Sequence, residues 1–105
     1  MRKQKIILKN VDDFRKALAA LKESTFDAKS LPEEVVDRIG KMCDEARFMS
    51  PSNNPEALEI ERQIITLTEA IESAFYDYHM NEVSVQNNLA KCERLLVSRK
   101  QIYSN

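Results

Sequence analysis

From Ala57 onward the apolar side chains recur at steps of three and four without a miss: Ala57, Ile60, Ile64, Leu67, Ile71, Ala74 and Tyr78. A half-buried strand needs alternation at two, so this spacing dictates a helix with one apolar seam, sustained over three heptads. The same alternation marks shorter stretches upstream. Val11, Phe14, Leu18 and Leu21 predict a first helix over about residues 11 to 24, with Asn10 as its N-cap and Asp13 favourably placed in its first turn. The connector STFDAKSL follows, with Phe26 expected to anchor it to the core. Ser30-Leu-Pro-Glu then reads as the start of a second helix, with Glu33 reaching back to the Ser30 amide and Pro32 in the first turn. Its stripe is Val35, Ile39, Met42, Ala46 and Met49. SPSNNP is the clearest loop in the chain, and Asn54 followed by Pro55 and Glu56 caps the third helix.

Past Tyr78 the phase changes. Continuing the seam would bury Asn81 and Asn88, whereas Val85, Leu89, Cys92, Leu96 and Tyr103 form a good stripe of their own. A tight turn around residues 80 to 83, centred on Asn81, accounts for the shift, because Asn both ends and begins helices readily. One kinked helix of fifty residues is the alternative, since no Gly or Pro forces the break. Charge favours the turn. Residues 55 to 82 carry seven acids against Arg62 alone, a balance of −6, and residues 91 to 105 carry +3. Folding about Asn81 sets Lys91 against Glu72, Arg94 against Glu69, and Arg99 and Lys100 near Glu59 and Glu61. The expected fold is all-α: an antiparallel helical bundle of about four helices with a long C-terminal helical hairpin. Residues 1–105 make one domain, of which 1–9 are a basic lead-in carrying Arg2, Lys3, Lys5 and Lys9.

Few kinds of chemistry fit this composition. One Gly in 105 residues excludes the glycine-rich phosphate cradles, and one His excludes a di-iron carboxylate bundle. Cys43 and Cys92 have no zinc-ligand spacing; both occupy apolar stripes and read as small buried hydrophobes, with Lys91 pointing away from the seam. No metal or cofactor is expected. Ile6, Ile7 and Leu8 are too short a run for a signal-peptide core or a membrane span, which places the chain in the cytoplasm with reduced thiols and no membrane partner. Glu69 and Glu72 share a helix face, but no pocket splits their acidities, so they read as solvated salt-bridge partners. His79, beside Tyr76, Asp77 and Tyr78, lacks a local nucleophile and reads as a polar residue helping to end a helix at the turn.

Hydrophobes off the main stripes are more informative. Leu58, Ile65 and Tyr76 lie to one side of the seam, Phe48 lies nearly opposite Ile39, and Val83, Ala90 and Val97 form a seven-spaced stripe behind the fourth helix. Contact with a second neighbouring helix explains the first group, and scattered exposure explains the last. A protein-interaction face explains both, and a hairpin projecting past two short helices would leave such a face uncovered. The expected function is a non-catalytic protein-protein interaction module, an adaptor or regulator, binding a partner protein or its own copy as a homodimer. The second reading is a nucleic-acid-associated accessory protein using the basic N-terminal segment. The pI near 5.9 and the absence of interleaved aromatics disfavour nucleic acid.

Overall fold

The computed structural model describes the backbone of residues 2–28 and 30–102, and within these the side chains from Val11 onward. Among the described residues every regular element is helical: α1 (Arg2–Asp27), α2 (Glu33–Arg47), α3 (Pro55–Ala74), a one-turn 3₁₀ segment (Phe75–Asp77) and α4 (Tyr78–Lys100). Helix runs without a gap from Pro55 to Lys100, so there are three unbroken helical stretches, the last of them jointed. Those residues would reach about 69 Å as a straight helix. The molecule measures 46 × 21 × 19 Å, and Arg99 near the end of α4 meets Glu61 near the start of α3. The joint is therefore a reversal.

The reversal lies earlier than the phase change suggests. Asp77, with φ −141° and ψ 80°, is the residue that leaves helical geometry, and its side chain accepts from the Met80 amide as the N-cap of α4. Asn81 is inside α4. Its side-chain amide donates back to the carbonyls of Asp77 (2.8 Å) and Ala74 (3.5 Å), tying the first turn of α4 to the end of α3. Tyr78, read as the last member of the α3 seam, instead opens the buried stripe of α4 with Val85, Leu89, Cys92 and Leu96. Tyr103 lies outside the described residues.

Two more boundaries shift for local reasons. α1 begins at Arg2, so the basic lead-in is helical and Asn10 sits inside a helix as no cap; the side chains of residues 2–10 are outside the described set. α2 begins at Glu33 behind Pro32, whose carbonyl accepts from the Val35 and Val36 amides, and no side chain caps it. The Ser30 capping box does not form. Asn54 behaves as expected, accepting from the Glu56 amide at 2.8 Å with Pro55 behind it.

α1 packs on α2 and α3, and α4 packs on α2 and α3, so the helices close a ring in the order α1, α2, α4, α3. Within each hairpin the helices are antiparallel, as Cys43 donating to the Leu18 carbonyl and Arg15 to the Ala46 and Met49 carbonyls show for α1 and α2. Between hairpins the directions agree. Arg38 meets Gln86 and Glu93 while Glu45 meets Lys100, so α2 runs parallel to α4, and α1 consequently runs parallel to α3. Val11, Phe14, Leu18, Val35, Ile39, Ile64, Ile71 and Leu89 meet at the centre of this ring. Phe26 does not join them. α1 continues through Thr25, which takes the buried position, and Phe26 is carried outward to 74% exposure.

Candidate functional site

α4 is apolar on two faces. Its inner stripe of Val85, Leu89, Cys92 and Leu96 is buried, while Val83, Ala90 and Val97 lie roughly 110 to 150° round from the centre of that stripe. Gln86 and Glu93 stand between the two faces and meet Arg38 of α2, with its Nε and Nη2 on the Glu93 carboxylate at 3.0 and 2.6 Å. That contact marks where the cover of α2 stops. Val83 is 74% exposed, Val97 53%, and Ala90 between them is half-buried. Met80, also exposed, stands one turn before Val83 on the side of α4 that carries Lys91 and Ser98, and Tyr76 at the reversal is almost wholly in solvent.

The other expected interface residues are placed elsewhere. Leu58 and Ile65 are half-buried at the α1–α3 boundary, sharing a small cleft with Asp13, Glu61 and Arg62, and Ile65 packs against the core. Tyr76 belongs to the 3₁₀ turn and to no α3 face. Phe48, exposed at the C-cap of α2, is beside Met49, Ser50, Lys100 and Ile102 at the opposite end of the bundle. The residues thus divide into a helix seam, two bundle ends and the α4 row. A projecting hairpin is not what bares that row: α1, at 26 residues, is longer than α3 or α4, and α2 runs beside α4 from Gln86 to Lys100, so Ala90 and Val97 are bared by the side of the helix they occupy rather than by their place along it.

Sequence reasoning missed a groove of about 550 Å³ between the outer sides of α3 and α4. Half-buried Leu67 and Leu95 form its floor, and exposed Arg62, Lys91, Arg94, Gln63, Thr66 and Ser98 line it with Glu59. Arg62 pairs with Glu59 at 3.1 Å. Lys91 and Arg94, expected to face Glu72 and Glu69, have no carboxylate within 4.0 Å among the described residues, and neither do those two acids have a cation. The hairpin register brings one expected pair together. Arg99 donates from Nε to Glu61 Oε2 at 2.8 Å, both side chains essentially buried, and from Nη2 to the Ser50 carbonyl at 2.7 Å. Lys100 turns instead to Glu45 across α2.

The groups considered for catalysis stay apart. Glu69 and Glu72 are exposed on α3, and His79 is exposed in the first turn of α4, where it begins a helix rather than ending one; its ring sits edge-on to that of Tyr78 with centroids 6.3 Å apart. Cys43 and Cys92 are free and buried, and burial pushes both thiols up, Cys92 to about 12 with Glu93 adding to the effect. A thiol so held is a poor nucleophile at neutral pH. Among the described residues no three His, Cys, Asp or Glu side chains gather as metal ligands, and no helix is long and apolar enough to cross a membrane. No protein-family model matches the chain, and comparison with curated proteins and with solved structures finds no match.

Proposed function

We propose that this chain is a small cytoplasmic interaction module, non-catalytic, that docks another protein or a second copy of itself along the outer face of α4. The observation that carries the reading is the two-faced character of that helix: one apolar stripe is used by the core, and Met80, Val83, Ala90 and Val97 face outward. A helix with a solvated outer face would carry charged residues there. The outer row is also self-complementary. With Ala90 on a two-fold axis, an antiparallel copy sets Val83 against Val97 twice, and the small Ala90 permits close approach of the two helices.

Sedimentation across the micromolar range tests the self-association form. The wild type is expected to exceed the 12.1 kDa of the monomer, and a Val83→Glu/Val97→Glu variant to return to it with unchanged helical content. A 12.1 kDa wild type at every concentration removes the second copy as occupant and leaves a partner protein. The interaction reading itself fails if the double variant keeps every association of the wild type, with itself and with protein from its source cells.

A further inference from the structure

We infer that the groove between α3 and α4 receives an acidic amphipathic helix of a partner protein; the inference rests on the interaction reading and assigns it a ligand chemistry. Three cations and one carboxylate line the groove, a local balance of +2 on a chain whose net charge is −1. Two of those cations, Lys91 and Arg94, have no carboxylate within 4.0 Å among the described residues, although the same hairpin carries Glu69 and Glu72 unpaired on α3. The charge that would neutralise the groove is thus present in the fold and not used there. An external acid completes it.

The floor decides what kind of acid. Leu67 and Leu95 offer apolar surface that a free phosphate or carboxylate leaves uncovered, and the polar side chains around them are all exposed, so no desolvated donor is held ready to orient a small ligand. Bases would need an aromatic platform, and the lining has none. A helix with two apolar residues one turn apart seats them on the two leucines, while Glu or Asp on its flanks reach Arg62, Lys91 and Arg94. Arg62 then exchanges Glu59 for, or shares it with, an incoming carboxylate. Arg94 stands on the ridge between the groove and the Val83–Ala90–Val97 row, making the two surfaces adjacent sides of α4.

The probe is a synthetic helical peptide with paired leucines and glutamate flanks, titrated into the isotopically labelled full chain and followed by amide chemical shifts. Shifts are expected at Thr66, Leu67, Lys91, Arg94 and Leu95, with binding about tenfold weaker for Lys91→Glu/Arg94→Glu. The same double variant should gain affinity for a peptide whose glutamates are lysines. Shifts confined to Val83, Ala90 and Val97, or no shift at all, overturn the groove assignment and leave the interaction reading to its own test, the associations of the Val83→Glu/Val97→Glu variant. Binding indifferent to the charge reversal, groove shifts that grow with protein concentration in the absence of peptide, or tighter binding of a single-stranded oligonucleotide at the same residues each overturn the proposal.

Discussion

Arg99 shows how one side chain joins distant parts of the chain. It lies on α4, pairs with Glu61 on α3 and donates to the carbonyl of Ser50 in the loop after α2, at 2% exposure. Glu61 Oε1 is buried with no hydrogen-bond partner among the described residues, so the carboxylate depends on Arg99 for its charge compensation. Removing one member of such a pair strands the other. Arg99→Met is expected to cost about 3 to 5 kcal/mol in urea unfolding, and an added Glu61→Leu to recover most of it, because two apolar groups need no pairing. Cys92 gives a second test. Its proton is released near pH 8.5 in the unfolded chain and near 12 in the folded one, so the fold is favoured fully below the lower value and loses that contribution as pH rises between them. Over that window wild-type stability should fall more steeply than that of Cys92→Ala, by up to about 1.4 kcal/mol per pH unit.

Among the elements, the reversal is where sequence and structure differ most usefully. The apolar phase located a break but could not locate its residue, because Tyr78 satisfies both the α3 and the α4 stripes while Asp77 and Asn81 are both good cap formers. Geometry assigns the cap to Asp77 and turns Asn81 into a donor toward Asp77 and Ala74. The two placements predict opposite responses to glycine. At a left-handed turn residue Asn81→Gly would stabilise; inside α4, where it loses the amide contacts and adds backbone entropy, it should destabilise by about 1 kcal/mol in thermal or urea unfolding. Asn54 and Pro55, by contrast, were legible because their signal is local and nothing competes for it. α1 begins nine residues earlier than the sequence suggests, at Arg2, because Ile7 continues the spacing of Val11 and Phe14 while Asn10, a good cap former, stands in between and offers a false start.

For the whole molecule, the seam and the charge asymmetry sufficed to predict the all-helical class and the meeting of Arg99 with Glu61. The ring order was not legible. It depends on α2 lying parallel to α4, which follows from Arg38 reaching Gln86 and Glu93, contacts between residues with no sequence relation. Nor was the groove, since its lining combines residues of α3 and α4 whose juxtaposition depends on the exact register of the hairpin, and Lys91 and Arg94 do not meet the acids that sequence spacing assigns them. The Val83–Ala90–Val97 row was visible as a seven-spaced stripe, and its exposure follows from its place on the side of α4 beyond Gln86 and Glu93, which α2 does not reach round to cover. The most direct test of the central claim places a photo-crosslinking residue at Val83 or Val97, with Glu23 on α1 as an exposed control, in the full chain expressed in its source cells. A discrete protein adduct at both α4 positions and none at Glu23 is the predicted result; adducts absent from α4, or equal at all three positions, would contradict it.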